Sequence, residues 1–137
     1  MDTIWCKHFR SMVDHDTCKA GVAYNSLRGI PWMEHPCFAR KGDTEPRPGC
    51  SLAVLPTIEE QEAEDRKARE SCERIGTARK AIVESLGGPW KRGMPGSRGC
   101  IACPVCGQPD SLHFTRAGYN GHIHAKCKTQ GCVSWME

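Results

Sequence analysis

Hydrophobic and polar positions divide the 137-residue chain into stretches of different character. Residues 1–56 have no sustained helical period; their apolar side chains are scattered among Gly, Pro and His, which predicts an irregular module. From Thr57 to Leu86 the chain turns to Glu, Ala, Arg and Lys, with no Pro and a single Gly76, and this predicts one long helix over 57–86. Thr57 and Glu60 stand at the spacing of a capping box, and Glu59, Glu60, Glu62 and Glu64 suit the positive end of the helix dipole. Gly87 and Gly88 permit a left-handed cap, and Pro89 stops continuation. An apolar stripe at Ala68, Cys72, Ile75, Arg79, Ile82 and Leu86, with Val83 beside it, marks only the second half of the helix. The first half is charged all round and reads as solvated. Arg79 within the stripe favours packing against the chain's own modules over a homodimer through the central helix, and Cys72 reads as a small buried hydrophobe. Residues 87–99 hold five Gly and two Pro and read as a linker that decouples the halves. Beyond it, Ser111–Arg116 and Tyr119–Lys126 alternate around an Ala-Gly-Tyr-Asn-Gly turn, setting Leu112 and Phe114 against Ile123 and Ala125 as a β-hairpin requires.

Composition changes the meaning of these elements. Leu, Ile, Val and Phe number only 21, less than the roughly 20% share below which an ordinary core is doubtful. Ten cysteines are the natural compensation. The N-terminus lacks a basic leader followed by an apolar run, and no stretch approaches the roughly 20 apolar residues of a membrane span. The expected setting is therefore the cytosol, with no membrane partner, where thiols stay reduced and serve as metal ligands more readily than as disulfides.

Cys103, Cys106, Cys127 and Cys132 form C-x2-C-x20-C-x4-C. The Cys-Pro-Val-Cys-Gly turn presents two thiolates from one tight loop, and the second pair closes a tetrahedral shell, so residues 100–137 read as a zinc ribbon. With Cys100 the run becomes C-x2-C-x2-C, which keeps an iron–sulfur cluster as an alternative. His113, His122 and His124 are substitute ligands. A closed four-sulfur site leaves no open position for hydrolytic chemistry, so the expected zinc is structural and the protein is not an enzyme. Cys6, Cys18, Cys37 and Cys50 are separated by 11, 18 and 12 residues, without a knuckle. They are expected to hold a second zinc, with His8, His15 or His35 as alternatives for one ligand, since so apolar-poor a segment needs a cross-link to fold. His35-Pro36-Cys37 lacks the Glu and the second Cys of a zinc deaminase, which excludes that class. The fold class is thus a small metal-stabilised α+β protein. It comprises a Cys-rich zinc-binding module (1–56), the long charged helix (57–86), the Gly/Pro linker (87–99) and the zinc ribbon (100–137).

Trp5-Cys6-Lys7-His8-Phe9, Cys18 to Tyr24, Pro36-Cys37-Phe38, Cys50, the Thr57–Glu60 helix start and the segment from Asn120 to Glu137 resemble small uncharacterised zinc-binding proteins of tailed bacteriophages. The resemblance covers most of the chain. It implies a viral protein acting in the cytoplasm of the infected bacterial host, and it carries no activity with it. The ribbon also resembles those of phage primases and topoisomerase tails, which touch single-stranded DNA.

Charge separates the candidate partners. The chain carries +3, distributed as +1 over residues 1–56, −2 over 57–86 and +4 over 87–137. Trp90, Lys91, Arg92, Arg98, Arg116, Tyr119, Lys126 and Lys128, with Trp135 nearby, are the mixture of cations and rings that binds single strands. Each four-thiolate zinc site contributes −2, so two sites leave the whole chain near zero, feeble for a dedicated phosphate binder. Nucleic acid, single-stranded or distorted DNA above all, is the first expected partner. The alternative is host interaction, in which the helix and exposed rings modulate or inhibit a bacterial enzyme or defence complex.

Overall fold

The computed structural model describes residues 3–137. Their order is β1 (Thr3–Trp5), two single 3₁₀ turns (Tyr24–Leu27 and Trp32–Glu34), β2 (Phe38–Arg40), α1 (Ile58–Ser85), β3 (Ser97–Ile101), β4 (Leu112–Arg116), β5 (Ile123–Cys127) and β6 (Ser134–Met136). The described residues form a small α+β protein with one helix and two antiparallel sheets. They divide into two compact units at Arg66 and Lys67, inside α1.

The helix ends follow from local chemistry. Thr57 Oγ1 accepts the Glu60 N–H at 3.3 Å, and the Glu60 carboxylate accepts the Thr57 N–H at 2.8 Å, completing the expected capping box. At the other end the Gly87 N–H bonds Glu84 O at 3.1 Å and the Gly88 N–H bonds Val83 O at 2.9 Å. With both glycines at positive φ, this is a Schellman cap.

In the unit up to Arg66, β1 pairs antiparallel with β2, Ile4 opposite Ala39. Its core is small: Leu27, Cys37 and Phe38 are buried, with Phe9, Tyr24 and Ile30 packed beside them. The first turns of α1 are not wholly solvated as expected, because Gln61 is buried. Its amide donates to Asp43 O (3.1 Å) and Pro56 O (3.0 Å) and accepts from the Gly42 N–H (2.8 Å), so one side chain ties loop to helix. Lys7 pairs with Glu60 and Lys41 with Asp65.

In the unit from Lys67, the order β3-β4-β5-β6 makes one antiparallel sheet. Strict alternation on β4 and β5 buries Leu112, Phe114 and Arg116 with Ile123, Ala125 and Cys127, and turns His113, Thr115, His124 and Lys126 outward. The expected hairpin is present with Phe114 opposite Ala125, but Leu112 faces Cys127 and β5 starts at Ile123 instead of Tyr119. The loop is longer because the Ala117 N–H reaches His122 O and the Gly121 N–H returns to Ala117 O.

The helix stripe is displaced from the expected one. Ala78 and Ile82 are fully buried against the sheet's core, with Ile75, Val83 and Leu86 partly covered, while Arg79, Ala68 and Cys72 face solvent. Stepping from Ile75 by three to Ala78 and by four to Ile82 keeps one apolar face and releases Arg79, whose Nε pairs with the Glu137 carboxylate at 2.5 Å. Cys72 is therefore exposed, not a buried hydrophobe. The Gly/Pro run is likewise not a free linker: residues 97–99 belong to β3, Arg116 Nη1 donates to Gly88 O at 3.2 Å, and a Cβ on Gly121 would lie 2.6 Å from the Trp90 ring. The boundary falls at residue 66 because the second half of α1 buries its stripe on this sheet.

Candidate metal centre

Among the described residues, Cys103, Cys106, Cys127 and Cys132 bring four thiols within 4.8 Å of one another. Two turns deliver them. In the first, the Gly107 N–H closes on Cys103 O at 2.8 Å, and Gly107 takes φ +74°, the left-handed value that a Cβ would disfavour. In the second, the Cys132 N–H bonds Thr129 O, the Cys127 N–H bonds Val133 O, and the Lys128 N–H bonds Ser111 O. Cys103 Sγ lies 3.6 Å from Cys132 Sγ, and Cys106 Sγ lies 3.7 Å from Cys127 Sγ. Sulfurs about 2.3 Å from a tetrahedral ion stand about 3.8 Å apart, so the spacing suits a metal held by four sulfurs. A disulfide would need about 2.05 Å, and all ten cysteines are free.

The surroundings treat the thiols unequally. Burial pushes the Cys127 thiol up, but hydrogen bonding with the Ser111 hydroxyl and with Thr129 outweighs it and leaves it at about 6. The Thr129 hydroxyl, 3.4 Å from Cys106 Sγ, lowers the Cys106 thiol as well. Burial and the neighbouring sulfurs push Cys132 up to about 12. In such a cluster a bound cation would remove the repulsion among four thiolates.

Cys100 lies outside this cluster. It sits on β3 opposite His113, exposed, with Sγ 3.5 Å from His113 Nε2, so the C-x2-C-x2-C run does not converge on one point. His122 and His124 are exposed and are not among the clustered donors.

In the unit up to Arg66, Cys6, Cys18 and Cys37 are buried and Cys50 is half-buried. All four line one small cavity, together with His8. Burial and then the charges of Cys6, Cys50 and Cys18 push the Cys37 thiol up to about 11, which places the three others electrostatically around it. His35 turns elsewhere: its ring stacks on Phe38 at 4.9 Å, its Nδ1 accepts the Cys37 N–H at 3.3 Å, and burial lowers its pKa.

The residues singled out for binding separate into exposed and buried sets. Lys91, Arg92, Arg98, Lys126 and Lys128 are exposed, and Tyr119 stands free at the β4–β5 turn. Arg116 is not available at the surface: strand alternation turns it to the core face, where it is 5% exposed. Trp90 is half-buried against Gly121. The sheet's outer face forms a shallow groove of about 790 Å³, lined by Arg98, Cys100, His113, His124 and Lys126 among others, and no carboxylate lines it. Sequence reading missed this groove because β3 and β6, which widen the hairpin into a four-stranded sheet, have no alternating apolar pattern of their own. Among the described residues no helix is long and apolar enough to cross a membrane.

Comparison of the chain with protein-family models, with curated proteins and with solved structures gives no match.

Proposed function

We propose that this is a non-enzymatic accessory protein that binds nucleic acid, single-stranded or distorted DNA first, on the outer face of a sheet stabilised by structural zinc. One observation carries the reading: the open groove on that face presents Arg98, Lys126, His113 and His124 with no carboxylate to repel phosphate. Lys128 and the exposed Tyr119 ring extend the surface with a further cation and a stacking platform. Four cysteines at tetrahedral spacing suit zinc, and with all four positions filled by sulfur the ion has no site for a reacting water. The resemblance to small phage proteins supports a setting in the cytoplasm of an infected bacterium.

Fluorescence anisotropy of labelled single strands tests the reading. Micromolar or tighter binding that weakens with salt is expected, and Arg98→Ala or Lys126→Ala should each reduce the salt slope by about 1. Absence of binding at 50 mM salt rejects it.

A second reading rests on the opposite kind of surface. In the unit up to Arg66, Trp32 and Met33 are each 56% exposed, and Trp5 joins the same aromatic cluster, its ring 6.2 Å from Trp32 and 5.2 Å from Phe38. Half-exposed rings of this kind suit docking on a bacterial host protein. Recovery of one stoichiometric host protein after nuclease treatment of the lysate would favour it.

A further inference from the structure

Cys6, Cys18, Cys37 and Cys50 come from four separate stretches of chain, yet all four line one cavity of about 10 Å³. That space holds one water-sized particle and nothing larger. The Phe9 N–H bonds Cys6 O, the Gly21 N–H bonds Cys18 O, and the Ala53 N–H bonds Cys50 O, so three of the four cysteines open a tight turn. The Val54 N–H donates to Cys6 Sγ at 3.4 Å, which fixes the direction of that sulfur. The Cys6 N–H also bonds Cys37 O at 2.7 Å, which ties two of the four segments directly together.

We propose that Cys6, Cys18, Cys37 and Cys50 form a second metal centre, a four-thiolate site for a divalent thiophilic cation, with zinc as its resident ion. The competing explanation, four cysteines serving as ordinary small hydrophobes, meets a packing difficulty. The apolar cluster beside them is small, with Leu27, Cys37 and Phe38 as its buried members, and a void within so small a core would cost packing contacts. An ion bound by the four sulfurs fills that void and cross-links the loops. These thiols do not lie within 4.8 Å of one another as the ribbon thiols do, so binding draws them inward; the ribbon is the preformed site and this one closes on its ion. His8 lines the same cavity and is the sole imidazole there, but the sulfurs alone complete a tetrahedron.

The full-length chain, reduced and metal-free, is titrated with Co2+ while sulfur-to-cobalt charge-transfer absorption is followed. Two equivalents are expected in the wild type and one in Cys106→Ser, the latter retaining a four-sulfur spectrum that His8→Ala leaves unchanged. Saturation of the wild type at one equivalent overturns the proposal. So does a remaining spectrum that changes with His8→Ala. Thiol alkylation of the zinc-loaded wild type gives a readout that needs no variant. Cys6, Cys18, Cys37 and Cys50 should gain reactivity on chelation, while exposed Cys72 reacts alike with and without metal. Rates at the four that ignore the chelator, or disulfides among them under reducing conditions, overturn it. Neither measurement depends on nucleic-acid binding, so the two readings fail separately.

Discussion

The two units solve one problem, too little apolar side chain, with four cysteines each, and they differ in how the sulfurs reach one another. In the unit from Lys67, two short turns at the same end of one sheet supply two thiols each, and seven other buried residues pack with them. In the unit up to Arg66, four loops supply one thiol each, and beside Cys37 the apolar cluster has Leu27 and Phe38 buried, with Phe9, Tyr24 and Ile30 partly covered. The four clustered thiols are held in place by backbone hydrogen bonds made without metal. The N-terminal thiols are positioned by loops whose closure is itself the cost of folding. Local spacing therefore preforms a cluster, whereas distant spacing leaves four thiols that an ion would have to draw together.

The sharpest way to break this comparison is to remove metal. Chelation should unfold the unit up to Arg66, where a structural zinc contributes on the order of 10 kcal/mol in comparable small domains. Residues 67–85 and the sheet strands should keep part of their amide protection. Hydrogen exchange read by mass spectrometry checks this, and equal loss of protection in both units would erase the distinction.

Ile82→Ala should be the next largest effect. Ile82 is fully buried between helix and sheet, and its truncation should cost about 2–5 kcal/mol. Thermal unfolding with exchange mapping should place the loss in residues 67–137. Gln61→Ala is the counterpart in the other unit, removing three hydrogen bonds at a buried amide at about 1–3 kcal/mol. Denaturant titration should show it, with exchange rising at Gly42. Destabilisation confined to the sheet would contradict the assignment of Gln61.

The smallest expected effect concerns Glu137. Burial raises its carboxyl, but the hydrogen bond from Arg79 and that from the Ile123 N–H at 2.9 Å outweigh it and hold the carboxyl below its ordinary 4.5. A depressed folded-state pKa gives stability that is complete above the ordinary value and lost as pH falls through the folded one. Glu137→Gln should cost less than about 1 kcal/mol at pH 7, since the pair is partly open to water. It should also flatten the acid limb of a stability profile below pH 4.5.

The sequence by itself determined what depends on neighbours in the chain. The Thr57/Glu60 capping box and the glycine cap bounded α1 to within one residue at each end, because caps are made by side chains three or four positions apart. The C-x2-C and C-x4-C turns named the four clustered thiols for the same reason. Alternation along residues 112–115 assigned those side chains to their faces. Only the tertiary structure decided that the helix stripe runs through Ala78 instead of Arg79, since one position of rotation hardly alters the sequence pattern but exchanges a methyl for a guanidinium against the sheet. It decided that Arg116 is core-facing, that residues 97–101 pair with β4, and that Arg98, His113, His124 and Lys126 share one groove. These outcomes turn on strand partners seven or more positions apart, and cross-strand neighbours leave no periodic trace in the strand that receives them.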